Sequence, residues 1–220
     1  MKDCISVVLA LSAVIVSQGV AAAEPISFTA ACEEALALSA APDYLRESAS
    51  IMRHAENKYL LSHEGSGPLT CLVQRNHPQS IIPVCYDKAG AEAILPAAIW
   101  ESEQVLSGRT ISEVKQEFPA TVAAGRFHAP RRAGLAYMLS AYNRIYTAQN
   151  DEIITVGPHL MFYAPGLSNA DIGGSYAAAQ QHRGLPFVIN QGIHGYMVSF
   201  VETPASTEAV EQSCAGQLTF

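Results

Sequence analysis

The sequence is poor in positive charge and in long apolar runs. Its 220 residues include 13 lysines and arginines against 20 aspartates and glutamates, which gives a formal net charge of -7. Proteins that bind nucleic acids usually present a basic face, so this acidic balance argues against that class. Nearly half of the residues are hydrophobic, which is enough to build a core and is unlike the composition of disordered chains. We expect one globular domain of ordinary size.

Common catalytic and cofactor motifs are also missing. The sequence has no G-x-S-x-G, no Walker or dinucleotide glycine pattern, no H-E-x-x-H and no C-x-x-C. We therefore expect no resident cofactor and no metal site. The short basic cluster of Arg126, Arg131 and Arg132 lacks interleaved aromatic residues and is typical of a solvated face.

The N-terminal segment has the pattern of an export signal. Residues 5–16 are an apolar run of the length found in signal peptides, and too short for the roughly twenty residues of a membrane span. Ala21, Ala22 and Ala23 place small residues where a signal peptidase reads them. We predict a signal peptide at 1–23, cleavage before Glu24, and a mature domain at 24–220 in the periplasm or outside the cell. An uncleaved membrane anchor is the alternative.

Cleavage leaves four cysteines, an even number suited to disulfides in an oxidising compartment. Two strand candidates, 68–75 and 81–86, flank the turn-rich segment 76–80. If the hairpin is symmetric about Pro78, Cys71 faces Cys85 and Val73 faces Pro83. Cross-strand neighbours at a non-hydrogen-bonded site lie about 4.5 Å apart at Cα, which is within disulfide range.

Cys32 and Cys214 are then left to join the two ends of the mature chain. Zinc ligation is the alternative, but the spacing of Cys71 and Cys85 does not fit a zinc finger. Structural disulfides are the favoured reading. On the chain-entropy model, closing the short loop stabilises by about 3 kcal/mol and closing the long one by nearer 5 kcal/mol.

The order of predicted elements indicates the fold class. Strand patterns come first, residues 96–124 carry helical signals, and strand patterns return from residue 125 onward. In the helical segment, Thr110 and Glu113 form a capping-box pattern, and Pro119 should kink or end the helix that follows. Strand patterns then lie at 134–146, 153–156, 159–163, 186–190 and 195–202. This order predicts a disulfide-braced α+β domain with a largely antiparallel sheet.

Several strings of the sequence, TCLVQR, PVCYD, FHAPRRAGLAYMLS, GPHLMFYAP and DIGGS, resemble a group of exported bacterial proteins to which no function is assigned. The similarity extends from about residue 40 to residue 200. The resemblance implies export and a single domain, and it implies nothing about chemistry.

Three histidines are candidates for acid–base chemistry or metal binding. His159 and His194 each begin a strand candidate, so pairing of those strands could bring both rings to one end of the sheet. His128 precedes Arg131 and Arg132 and could approach the same rim. Converging imidazoles could bind a divalent ion or transfer protons near neutral pH. The alternative is that each ring is satisfied by a backbone carbonyl.

Tyrosines are frequent in the C-terminal strand candidates. A tyrosine ring provides apolar area and a hydrogen-bonding hydroxyl, which suits a ligand groove and suits a half-buried strand equally well. Tyr163 and Tyr196, with Arg131 and Arg132 for an anion, are the candidate ligand-binding residues. The packing account is preferred for the tyrosines as a group, which comprises Tyr137, Tyr142, Tyr146, Tyr163 and Tyr196.

Three functional hypotheses follow. The leading one is a non-catalytic exported protein that binds a small molecule or an envelope partner through its C-terminal sheet. The second is a hydrolase or metal-dependent enzyme that uses His128, His159 and His194, with Arg131 or Arg132 holding an anion. The third is a structural component of the envelope. The absence of standard catalytic motifs favours the first.

Overall fold

A computed structural model describes residues 23–202 and 204–218. The described residues form ten strands, seven α-helices and a 3-10 helix at Asp43–Ser48. The strands are β1 (Ser50–Ala55), β2 (Lys58–His63), β3 (Thr70–Gln74), β4 (Ile82–Tyr86), β5 (Leu135–Met138), β6 (Arg144–Thr147), β7 (Glu152–Thr155), β8 (His159–Tyr163), β9 (Phe187–Asn190) and β10 (Tyr196–Phe200). The α-helices are α1 (Ala30–Leu38), α2 (Lys88–Ala93), α3 (Leu95–Leu106), α4 (Ile111–Ala123), α5 (Asn169–Ile172), α6 (Tyr176–Gln181) and α7 (Glu208–Ser213).

Eight strands form one sheet in the order β2-β1-β3-β4-β5-β8-β10-β9, and β6 pairs with β7 in a second, two-stranded sheet. Neighbouring strands are antiparallel except β1 and β3, which run parallel. Helices and a mostly antiparallel sheet within one domain confirm the predicted α+β class. The hairpin of β9 and β10 is also found where the sequence predicts it.

The predicted hairpin register is confirmed. In the β3–β4 pair, Cys71 faces Cys85 and Val73 faces Pro83. Cys71 and Cys85 form a disulfide with their Cα atoms 4.0 Å apart. Cys32 and Cys214 form the second disulfide, with a Cα separation of 4.7 Å. The pairing selected from the sequence is therefore the pairing in the structure.

The two faces of the sheet carry separate apolar clusters, because successive residues of a strand point to opposite sides. On one face, Leu72, Val84 and Tyr86 pack with residues of α2 and α3. On the other face, Cys71, Val73 and Cys85 pack with residues of α1 and α7. The 71–85 disulfide is thus covered by the helices that the 32–214 disulfide joins.

The helical segment predicted at 96–124 is present as α3 and α4. Between the two helices, Gly108 adopts a φ of 100°, a conformation that favours glycine. Thr110 and Glu113 form the capping box that the sequence predicts. Pro119 does not end α4, which continues to Ala123. The helix lacks one N–H donor at Pro119, but flanking residues Phe118 and Val122 pack on an apolar cluster around Trp100.

The single strand candidate at 134–146 is instead two strands in different sheets. β5 ends at Met138, and the chain turns before β6 begins at Arg144. Buried Asn143 stabilises this turn, since its side-chain amide donates to the carbonyls of Met138 and Ser140. Alternating apolar residues on both sides of the turn made the segment resemble one strand. The turn directs β6 and β7 away from the main sheet, toward the segment that joins β3 and β4.

Residues 1–22, which carry most of the predicted signal peptide, lie outside the described residues. Within 23–202 and 204–218, every helix is too short or too polar to cross a bilayer.

Candidate functional site

The segment 75–80, which joins β3 to β4, is held in place by a buried serine. The Ser80 hydroxyl accepts from the N–H groups of Asn76 at 3.0 Å and His77 at 3.1 Å, and it donates to the His77 carbonyl at 2.9 Å. Ser80 is fully buried. These bonds fix the backbone, so that Asn76 and His77 project from a rigid turn.

This turn forms one wall of a cleft with a volume of about 410 Å³. That size lies within the roughly 300–1,000 Å³ typical of small-molecule sites. A second wall comes from the α3–α4 corner, a third from the β6–β7 hairpin, and a fourth from the first described residues of the chain. Polar lining residues include Glu24, Asn76, His77, Arg109, Thr110, Tyr146 and Asp151, and apolar ones include Pro25, Pro78, Val105, Leu106 and Ile111.

His77, Tyr146 and Asp151 form a compact cluster on the cleft wall, which we call the imidazole–phenol–carboxylate cluster. The rings of His77 and Tyr146 stack with their centroids 4.7 Å apart and their planes 22° apart. The Tyr146 hydroxyl donates to Asp151 Oδ1 at 2.8 Å. The hydrogen bond from Tyr146 to the Asp151 carboxylate raises the pKa of the phenol, so Tyr146 stays protonated near neutral pH.

His77 is a neutral donor in this arrangement. Burial lowers the pKa of its imidazole and outweighs the attraction of the nearby Asp151 carboxylate. The Nδ1 atom accepts the N–H of Gln79 at 3.1 Å. The proton of the neutral ring therefore resides on Nε2, which is a hydrogen-bond donor.

The basic group of the cleft is already engaged. Arg109 forms an ion pair with Glu117 at 2.8 Å and donates to the side-chain carbonyl of Gln104 at 2.8 Å. Thr110 uses its hydroxyl to bond Glu113 at 2.8 Å in the capping box. These side chains shape the rim of the cleft, and their polar groups are committed to α3 and α4.

The N-terminal wall is bound to the same turn. The N–H of Ile26 donates to the Pro78 carbonyl at 3.0 Å, and the side-chain amide of Gln79 donates to the Glu24 carbonyl. Phe28 packs under the guanidinium of Arg75, whose carbon lies 5.1 Å from the ring centroid. The chain is thus anchored from Glu24 onward, at the position where cleavage is predicted.

A second group of buried titratable side chains lies where β1 and β3 diverge beyond Cys71. Glu33 accepts the backbone N–H of His54 at 2.9 Å, and the Tyr59 hydroxyl donates to the Val73 carbonyl at 2.5 Å. Burial raises the pKa of the Glu33 carboxyl despite the attraction of Arg75. The His54 N–H and the Val73 carbonyl lie where β1 and β3 no longer pair, and these two bonds satisfy them. The network therefore supports the fold.

The three candidate histidines do not share one site. His194 and His128 are adjacent, with His194 Nε2 2.9 Å from the His128 carbonyl oxygen. β8 and β10 are neighbours in the sheet, but their pairing is antiparallel and sets His159 opposite Phe200. A strand rises about 3.3 Å per residue, so roughly 13 Å of β10 separates Phe200 from Tyr196, beyond which His194 lies. The expectation that His159 and His194 lie at one end of the sheet is wrong.

Backbone carbonyls satisfy the two buried histidines. His159 is 4% exposed and its Nδ1 lies 2.8 Å from the Gly157 carbonyl oxygen, while His194 is 7% exposed. Burial lowers the pKa of both rings. Across 23–202 and 204–218, no group of three or more His, Cys, Asp or Glu side chains is arranged to hold a metal ion.

The candidate ligand-binding residues lie away from the cleft. Tyr163 faces Tyr196 across β8 and β10, and burial raises the pKa of the Tyr196 phenol to about 12. The Tyr163 hydroxyl is buried beside Asp87 and makes no aligned hydrogen bond. Both tyrosines pack against the cluster under α2 and α3. Arg131 and Arg132 are exposed in the loop before β5.

The sequence predicts a turn at Asn76 and His77 and singles out no role for Asp151, which lies between the strand patterns at 134–146 and 153–156. The signal that could have marked them is the density of hydrogen-bonding side chains in 76–80, inside the short loop that the Cys71–Cys85 disulfide closes. The sequence places Tyr146 among the tyrosines of the strand candidates, but its contact with Asp151 depends on the hairpin that β6 and β7 form.

Comparison of the chain with known protein families, with curated proteins and with solved structures finds no match.

Proposed function

We propose that the protein is an exported, non-catalytic binding protein and that the cleft beside the 75–80 turn holds a small molecule. The observation that carries this proposal is the cleft itself, which combines about 410 Å³ of space with apolar walls and the imidazole–phenol–carboxylate cluster. Clefts of this size with a few converging polar groups are the usual form of a small-molecule site.

Export is part of the proposal. The 71–85 and 32–214 disulfides support it, because such bonds persist in oxidising compartments. The predicted signal peptide at 1–23 and cleavage before Glu24 support it further, as does the resemblance to exported bacterial proteins. The place of action would be the periplasm or the cell exterior.

The state of the polar groups favours binding over conversion. Tyr146 donates its proton to Asp151, and the lone pair of His77 Nδ1 is used by Gln79. The hydroxyl groups of Ser107 and Thr110 donate to Gln104 and Glu113. Each of these groups has a bonding partner within the protein, so the described lining of the cleft presents a recognition surface and contains no activated nucleophile.

A ligand-observed NMR screen with a fragment library tests the proposal. Fragments that bind the purified protein should no longer bind a His77→Ala variant, because this substitution removes one ring of the stacked pair. A Tyr176→Ala variant, altered at an exposed ring outside the cleft lining, should bind them unchanged. If no fragment distinguishes His77→Ala from the parent protein, the cleft is not the binding site.

A further inference from the structure

The charges that line the cleft are unbalanced. Glu24 and Asp151 contribute two exposed carboxylates, and Arg109 contributes the lining guanidinium. The Arg109 charge is already offset by Glu117, at 2.8 Å. Cleavage before Glu24 would add one α-ammonium group to the wall. Even then, among the described residues that line the cleft, two carboxylates face one unpaired positive charge, so this lining favours a cationic ligand.

Asp151 has one oxygen to spare. Its Oδ1 accepts from Tyr146, whereas Oδ2 accepts no hydrogen bond from any residue in the described part of the chain. An ionised carboxylate has room for about four hydrogen bonds. A ligand N–H group that bonds Oδ2 would complete the polar contacts of this side chain without displacing Tyr146.

The stacked rings of His77 and Tyr146 add a flat, polarisable surface beside that oxygen. Aromatic rings attract cations through their negative faces and pack offset against other rings. Apolar contacts from Pro25, Pro78 and Leu106 complete the walls. A ligand with both a positive charge and a flat apolar group would use the carboxylate and the rings together.

We propose that the cleft takes a small primary amine that carries an aromatic group, with its ammonium at Asp151 Oδ2 and its ring against His77 and Tyr146. This inference rests on the proposed binding function and specifies its ligand class.

Three probes of nearly equal shape share an aromatic ring and differ in charge: 2-phenylethylamine, 2-phenylethanol and phenylacetate. Comparing them separates the contribution of the charge to binding from that of the ring. Binding is measured by titration with protein-observed NMR at pH 7.5 on the protein purified after export. We expect the amine to bind about fivefold tighter than the alcohol, as an exposed ion pair of up to about 1 kcal/mol provides. Phenylacetate should bind most weakly.

Asp151→Asn is the decisive variant, because asparagine can still accept from Tyr146 and tolerates the left-handed φ of 52° at this position. The dissociation constant of the amine should rise about fivefold, to that of the alcohol. Glu152→Gln is the matched control, since Glu152 neighbours Asp151 in sequence but does not line the cleft. It should leave all three affinities unchanged.

Different outcomes overturn different statements. Phenylacetate binding as tightly as the amine, or an amine affinity that Asp151→Asn leaves unchanged, overturns the amine inference while the cleft remains a binding site. Failure of all three probes to bind also overturns the amine inference. The binding function itself fails only if the fragment screen yields no ligand sensitive to His77→Ala.

Discussion

The side chain of Asn76 binds the backbone of Tyr146 at both ends of its amide. Asn76 Oδ1 accepts the Tyr146 N–H at 3.1 Å, and Nδ2 donates to the Tyr146 carbonyl at 2.8 Å. The amide thus substitutes for a strand partner along β6 and joins the 75–80 turn to the β6–β7 hairpin. Because both elements line the cleft, this pair of bonds fixes the position of these two adjoining walls relative to each other.

We expect Asn76→Ala to lower the free energy of unfolding by about 1–3 kcal/mol, since it leaves two partly buried backbone groups without partners. The variant should also weaken the binding of ligands in the cleft. Urea denaturation measures the stability. Asn150→Ala, which removes a surface hydrogen bond to Glu152, should change it by less than about 0.5 kcal/mol. Equal effects of the two substitutions would contradict this role of Asn76.

The two disulfides should contribute unequally to stability. The 32–214 bond closes a loop with a sequence separation of 182, and the 71–85 bond one of 14. On the chain-entropy model the bonds are worth about 5 and about 3 kcal/mol. Replacing Cys32 and Cys214 by alanine should therefore lower the denaturation midpoint more than replacing Cys71 and Cys85. The reverse order would show that local packing around the short loop dominates.

Mild acid should destabilise the fold through its buried histidines. Burial lowers the pKa of His159 and His194 below the ordinary 6.5. Above pH 6.5 both rings are neutral in the folded and unfolded chains. Their contribution to the free energy of unfolding is then at its maximum. As the pH falls below 6.5, the unfolded chain takes up protons first, so the free energy of unfolding decreases.

Denaturation at pH 7.5 and pH 5.5 measures this decrease. His194→Gln should reduce it, because glutamine does not titrate and can still donate to the His128 carbonyl. His182→Gln alters an exposed ring and should leave the decrease intact. An unchanged pH dependence in His194→Gln would exclude a titration of His194 in this range.

Gly90 provides a test of close packing inside α2. A Cβ atom at this position would lie 2.0 Å from the Tyr163 hydroxyl oxygen and 2.7 Å from the adjacent ring carbon. Alanine is favoured over glycine in a helix by about 1 kcal/mol, but an overpacked core side chain costs about 1–3 kcal/mol. We expect Gly90→Ala to be destabilising in thermal denaturation. Adding Tyr163→Phe should recover part of the stability that Gly90→Ala loses. A Gly90→Ala variant more stable than the parent protein would contradict this close packing.

The local parts of the fold could be predicted and the long-range parts could not. Cys71, Cys85 and Pro83 lie within one hairpin, where the turn and the alternation of strand residues leave one register that satisfies all three. The partners of β5, β8 and β10 are distant in sequence, and their order depends on how the faces of the sheet pack. Alternation within each strand contains no information about which strand lies beside it.

The candidate site illustrates the same limit. Asn76 and Tyr146 are 70 residues apart and meet because Asn143 turns the chain out of the main sheet. The expected placement of His159 and His194 at one end of the sheet is wrong for a related reason. A residue that begins one strand faces the end of its antiparallel neighbour, so His159 and His194 needed parallel strands to meet.

A hydrogen bond as well as a disulfide joins the segments near the two ends of the described chain. The N–H of Thr29 donates to the Gln217 side-chain carbonyl at 2.8 Å, beside the bond between Cys32 and Cys214. Because Thr29 contacts Gln217, a peptide can connect the segments that flank these two residues in a circular permutant, whose new ends are made elsewhere in the chain. An opening at the exposed 148–151 turn would place both new ends beside the cleft, where a tethered fluorophore could report ligand entry.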